Sequence, residues 1–395
     1  MHGSASLLDS SPALLLASLR MRGGLRKLLL ILLVVGVLGT LMYRSRDAIN
    51  LKGFSWSDLV VAVRQANWWL LLLSLAAIYV CYAIRALRWE RFSRYIGRPT
   101  FGNIFRCTLI GFSAIFLLGR AGEPVRPLLI ARKDHLSVSG TFGIYVLERI
   151  FDVGAAVVLL GYSLLKFSAL LARGGSDSGV ALVRSAGIGM MIGLAGAVAF
   201  LVYFRVHGAE FLSRRLAKWR EGPAHADWRR RAAGLFEGFS QGLQAIRTLG
   251  DLGYALGTSV AHWVLVILVY SWVLQSFHGK LAGLDLSASV LVLAFTLFGS
   301  TVQLPAVGGG TQAATFLALT LVFGVEGGPA AAASIVLWLI SFAGSLLAGV
   351  PLLIHEGWSL GDLSRMAKAE TEAEAAGTHI SIEADLPGQT GETVR

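Results

Sequence analysis

Charge is scarce in this chain: 15% of its 395 residues are Asp, Glu, Lys or Arg, against about a quarter in soluble domains. With 55% hydrophobic residues and a mean hydropathy of +0.64, that scarcity excludes a soluble globular protein and requires lipid as solvent. Cysteine is scarcer still. Cys81 and Cys107 both fall in or beside apolar segments, which excludes a disulfide framework and a zinc ligand set. There is no Gly-x4-Gly-Lys-Ser/Thr loop, no His-Glu-x-x-His, no Gly-x-Ser-x-Gly and no Asp-rich metal pair, and the eight histidines are scattered. The chain therefore carries no signature of an internal ATPase, metalloprotease or hydrolase, and no cofactor or metal is expected.

What is present is a series of apolar runs. A spanning helix needs about 20 largely apolar residues, and the runs near 25–43, 67–87, 140–171, 181–205, 251–277 and 329–355 meet that need. Arg20, Arg22, Arg26 and Lys27 precede the run Leu28–Met42 in the manner of a signal peptide. No small-x-small site follows, so the run reads as an uncleaved first span behind a cytoplasmic segment 1–24. Two further apolar regions are flawed. Residues 102–132 are broken by Gly119-Arg-Ala-Gly-Glu-Pro-Val-Arg126, and residues 287–325 by Leu304-Pro-Ala-Val-Gly-Gly-Gly310. The fold class that follows is all-α: a polytopic membrane bundle of about 6–8 spanning helices with two re-entrant or broken-helix hairpins.

Net charge is +11, but the basic residues flank spans, where they set orientation and attract anionic lipid. Nucleic acid is not the expected partner. Arg85, Arg88, Arg91, Arg94 and Arg98 follow the second span, and eight Lys or Arg lie in 205–231, whereas 172–180 and 278–286 carry little charge. Positive-inside places both termini in the cytoplasm of a bacterial-type inner membrane. The 102–132 break must then be entered from the cytoplasm and the 287–325 break from outside. That opposition suggests two inverted halves. Residues 228–247 repeat apolar side chains at helical spacing and read as an amphipathic cytoplasmic helix. The acidic stretch 357–395 reads as a disordered tail.

Ionisable side chains at membrane depth face a cavity or one another. In the first break, Arg120 and Arg126 are joined by Gly119, Gly122 and Pro124, which break the helix, and by Glu123, which could pair with either arginine. Glu148, Arg149 and Asp152 share one face of an apolar helix. Together these are the expected substrate-binding residues, and the combination of arginine with free backbone N–H groups suits an anion. The expected gate and hinge residues are Gly119, Gly122 and Pro124 in the first break and Pro305, Gly308, Gly309, Gly310 and Gln312 in the second, which Gln303 also flanks. Arg85, Arg88 and Trp89 read instead as an orientation and interface anchor.

Arg85-x-x-Arg-Trp89, the Gly-Glu-x-x-Arg of residues 122–126, Glu148-Arg149-x-x-Asp152 and the late Pro-x-x-Gly-Gly turn occur in that order. Together they resemble the lysylphosphatidylglycerol synthase transmembrane-region family, the flippase-like domain proteins, over roughly 25–356. The resemblance implies lipid handling. In bifunctional members a membrane domain like this one moves aminoacylated phosphatidylglycerol across the bilayer, and a separate cytosolic domain makes it. The late turn departs from the family's Pro-x-Pro-Gly-Gly-plus-glutamate pattern, with Val307 at the second proline and Gln312 or Ala313 near the acid. A cationic headgroup would want that acid.

The sequence thus predicts a translocase, not an enzyme, that moves an anionic phospholipid or lipid-linked intermediate between leaflets. Its partners would be that lipid and a separately encoded lipid-modifying enzyme. Two rivals are a polyprenyl-phosphate transferase, which would need Glu123, Glu148 or Asp152 as base, and an accessory subunit that binds lipid without moving it.

Overall fold

The computed structural model describes residues 56–171, 177–207, 246, 248–301, 303–304, 308–356 and 361. The first expected span, the cytoplasmic segment 1–24, Pro305, nearly all of the amphipathic helix 228–247 and nearly all of the tail lie outside those residues. The described part is helical. In chain order the helices are α1 (Trp56–Gln65), α2 (Trp68–Ser93), α3 (Phe101–Leu118), α4 (Val125–Lys133), α5 (Val138–Lys166), α6 (Asp177–His207), α7 (Leu249–Ser276), α8 (Leu286–Gly299), α9 (Gly310–Leu317), α10 (Gly327–Ser341) and α11 (Leu346–His355). A two-residue antiparallel pair, β1 (Gln303–Leu304) with β2 (Gly308–Gly309), closes the tip between α8 and α9.

By length and composition, four stretches could cross a membrane: Trp68–Ser93, Phe101–Gly122, Leu249–Ser276 and Gly327–His355. Helix α5 has 29 residues but carries Glu148, Arg149 and Asp152. Large apolar side chains such as Trp69, Leu72, Leu73, Val80, Ile192, Val260, Val264 and Leu347 are exposed. An apolar exterior around polar interior groups is the reverse of a soluble protein, and it fits a helix bundle in lipid.

Helices α2 and α7 run antiparallel and are fastened at both ends. At one end the Asn67 N–H donates to the Ser276 carbonyl at 2.7 Å. At the other, Asp251 accepts from Tyr95 Oη at 2.6 Å and from Arg91 Nε at 2.9 Å. The second end also gathers Arg94, Arg98, Arg132 and Lys133, and is called here the basic face.

The 102–132 region folds back on itself. Asn103 Nδ2, at the start of α3, donates to Asp134 Oδ1, just past α4, at 2.9 Å. Both mouths of this hairpin therefore open on the basic face. Nine residues of α4 span only about 14 Å at 1.5 Å per residue, too little to cross. The second hairpin, α8–α9, opens on the other face. There Lys280 Nζ donates to the Gly324 carbonyl at 2.9 Å and Phe167 packs on Phe323 at 5.9 Å. The two hairpins enter from opposite faces, as the charge distribution required, and β1 contacts the Gly119–Gly122 turn. Their tips meet inside the bundle.

Glycine makes both hairpins possible. A Cβ at Gly122 would stand 2.3 Å from the Ala114 carbonyl oxygen, and one at Gly299 would stand 2.2 Å from that of Gly310. Gly119 and Gly309 adopt φ of 64° and 77°, which suit glycine and strain other residues.

Candidate functional site

Four elements deliver charged side chains to one place. Helix α2 presents Arg85, Arg88 and Trp89 at i, i+3 and i+4, hence on one face. Helix α5 presents Glu148, Arg149 and Asp152, and α7 presents Ser259 and His262. The first hairpin adds Arg126 from the opening turn of α4. Along α2 the group lies about 12 Å from the basic end, and along α5 and α7 about 15 Å, at 1.5 Å per residue. In a hydrocarbon layer of about 30 Å that is near mid-depth.

Glu148 is the hub and is fully buried. Its Oε1 accepts from Arg85 Nη1 at 2.7 Å and Arg88 Nη2 at 2.8 Å. Its Oε2 accepts from Trp89 Nε1 at 2.9 Å and from Arg126 Nη2. Asp152 accepts from Arg85 at 3.0 Å and pairs with Arg149 at 3.1 Å. Arg88 Nη1 also donates to Ser259 Oγ at 2.7 Å, and Arg85 Nη2 lies 3.1 Å from His262 Nε2. Aromatic faces cover the cations: Arg126 lies 4.7 Å from the Trp89 ring, and Arg149 lies 5.2 Å from Tyr145. Those rings replace part of the lost hydration.

The charges do not balance. Among the described residues, Arg85, Arg88, Arg126 and Arg149 meet only Glu148 and Asp152, leaving two positive charges in excess. The donors are not exhausted either. Arg126 Nη1, Arg88 Nε and Arg149 Nε are buried without a hydrogen-bond partner. Unpaired buried charge is costly, and an anion would relieve it. Arg149 offers the way in, because its side chain keeps 37% of its surface exposed.

Of the residues expected from the sequence, Arg126, Glu148, Arg149 and Asp152 come together here. Glu123, expected to pair with Arg120 or Arg126, pairs with neither among the described residues. It accepts from the Tyr145 hydroxyl, on the rim beside Arg149. Arg120 is exposed and takes no part in the cluster. Arg85, Arg88 and Trp89, read as an interface anchor, are buried at its centre. Their signal was available. Positions 85, 88, 89 and 92 share one stripe of α2, whereas Arg91 and Arg94 lie on the other side. Ser259 and His262 were missed as an i, i+3 polar pair in an apolar helix. Gly111 was missed too: a Cβ there would stand 2.5 Å from Arg126 Cβ, so this glycine makes room for the arginine.

At the second tip, Gln312 Oε1 accepts from the Gly309 N–H at 2.7 Å and caps α9. Gly308, Gly309 and Gly310 form the turn against α8, and Thr296 and Thr315 hydroxyls meet at 2.6 Å behind it. Among the described residues, no three His, Cys, Asp or Glu side chains converge where a metal could sit.

The family described as "Lysylphosphatidylglycerol synthase TM region" matches residues 24–349. No curated protein matches the chain.

Proposed function

Because this chain belongs to the lysylphosphatidylglycerol synthase TM-region family, we propose that it translocates an anionic phospholipid or lipid-linked intermediate between leaflets. The observation that carries the reading is the excess of two positive charges in the cluster formed by α2, α4, α5 and α7. A phosphate headgroup entering past Arg149 would neutralise that excess. It would accept from Arg149 and from the unpartnered Nη1 of Arg126. The bidentate fork of arginine suits phosphate oxygens.

Glu148 holds its arginines in place and is too enclosed to meet substrate. Glu123, Glu148 and Asp152 all accept hydrogen bonds from arginine or tyrosine, and the one oxygen left without a hydrogen-bond partner, Asp152 Oδ1, is buried 3.8 Å from Arg88, a setting that disfavours a transferase base. Glu148 is enclosed and Asp152 is paired with Arg85 and Arg149, which favours an anionic headgroup over a cationic one. The Gly308–Gly310 turn serves as hinge for the opposite gate. The basic face lies toward the cytoplasm, with both termini on that side of the inner membrane, and a separately encoded enzyme supplies or consumes the lipid.

Proteoliposomes carrying NBD-labelled phosphatidylglycerol or NBD-labelled phosphatidylcholine test the reading. The protein should expose the anionic lipid of the inner leaflet to external dithionite faster than protein-free vesicles, and Arg149→Lys should slow it. Equal rates for both lipids, or for protein and empty vesicles, would sink the proposal. Reporter fusions at residues 175 and 282 should report outside and those at 220 and 365 inside; the reverse overturns the orientation.

A further inference from the structure

Among the ionisable side chains of the cluster, His262 is the neutral one that can gain charge by taking up a proton. It is buried on α7, 5% exposed, with its Nε2 3.1 Å from Arg85 Nη2. A guanidinium has donors and no acceptor. Nε2 must therefore accept, the proton sits on Nδ1, and the ring is neutral. Nδ1 is buried beside the Cys81 backbone without a well-formed hydrogen bond, so the ring is held chiefly through Nε2.

The surroundings of the ring are those of a switch. From α2 it faces Arg85 and Arg88, with Cys81 Sγ donating weakly to its backbone carbonyl at 3.9 Å. From α5 the cluster contributes Glu148, Arg149 and Asp152; on α7 itself are Ser259 and the Trp263 ring at 5.6 Å. Protonating Nε2 would set one donor against another and drive Arg85 Nη2 away. Arg85 Nη1 already holds Glu148 and Asp152, so the guanidinium can pivot about those bonds and free Nη2. The extra positive charge would also deepen the imbalance that an anion relieves.

We infer that His262 is a proton-binding site coupled to the anion held by the arginine cluster, so that proton uptake and headgroup binding occur together. The inference rests on the reading of the cluster as a headgroup site, and it supplies that reading with a driving force, the proton gradient. Linkage makes the coupling reciprocal. The anion favours the protonated ring, and a lower pH favours the anion.

The test uses the purified full chain in detergent and short-chain phosphatidylglycerol, a phosphodiester whose own charge does not change between about pH 5.5 and about pH 8. Titration calorimetry in two buffers of different ionisation enthalpy reads affinity and proton uptake together. The wild type should bind roughly tenfold more tightly at the lower pH, within the usual range of coupling, and take up protons on binding. His262→Gln keeps an acceptor for Arg85 and cannot titrate. Its affinity should no longer differ between the two pH values, and it should take up no proton on binding. Wild-type binding that is independent of pH and takes up no proton overturns the inference while leaving the headgroup site standing, as does uptake retained in His262→Gln. Binding at neither pH removes the headgroup site and the inference together. Should the variant fail to fold, wild-type uptake, or its absence, decides.

Discussion

The two hairpins have the same outline and opposite chemistry. Each enters the bundle from one face, turns at glycine and meets the other near mid-depth. The first is held by charge: Arg126 reaches from α4 across to Glu148 on α5, and Glu123 accepts from Tyr145. Among the described residues the second is held by neutral groups, Gln312 on its own Gly309, Thr296 on Thr315, and the close contact of Gly299 with Gly310. A tip tied by ion pairs to a fixed helix is an anchored wall. A tip that touches the wall through β1 without an ion pair among the described residues is better suited to move against it. The difference supports the proposal that the first hairpin recognises substrate and the second gates.

The largest expected effect comes from removing the hub of the first hairpin. Glu148→Gln leaves Arg85, Arg88 and Arg126 without their shared carboxylate. Removing one partner from a buried charge network costs about 3–5 kcal/mol, which thermal unfolding in detergent would read. A variant as stable as the wild type would show that the carboxylate is not what anchors this hairpin.

Next in size are the two glycine contacts. Gly111→Ala drives a methyl into Arg126, and Gly299→Ala drives one into the Gly310 backbone. Each should destabilise by about 1–3 kcal/mol, the usual cost of overpacking. They should part in function: Gly111→Ala displaces a headgroup ligand and lowers lipid binding per folded molecule, whereas Gly299→Ala leaves binding intact. Equal effects on binding would erase the distinction between the two hairpins. Smallest is Arg120→Ala. That side chain is exposed at the tip of the first hairpin, so stability should stay within about 0.5 kcal/mol and transport should not change.

Much of this architecture was legible in the sequence, and the reason is lipid. Where every backbone group must be satisfied and charge is expensive, an arginine between glycines or a glutamate inside an apolar run stands out. The positions of the breaks, the opposed entry of the hairpins and the convergence of Arg126, Glu148, Arg149 and Asp152 all followed from such contrasts. What escaped was what sat next to similar residues. Arg85 and Arg88 were masked by Arg91, Arg94 and Arg98, although helical phase separates the two sets. Arg120 drew attention because it shares a turn with Arg126, and one turn of chain turned its side chain out of the cluster. Gly111 and His262 matter through contacts between distant segments, which one chain read in order does not display.

The claim on which the account turns is that the arginine cluster holds an anionic headgroup, with Arg149 as the exposed ligand. Native mass spectrometry of the protein exchanged into mixed micelles of phosphatidylglycerol and phosphatidylcholine addresses it directly, comparing wild type with Arg149→Lys. Lysine keeps the charge but not the planar fork. The account predicts that the wild type retains phosphatidylglycerol selectively and that Arg149→Lys, equally folded, loses most of that selectivity. Equal retention of both lipids by the wild type, or undiminished selectivity in the variant, would contradict it.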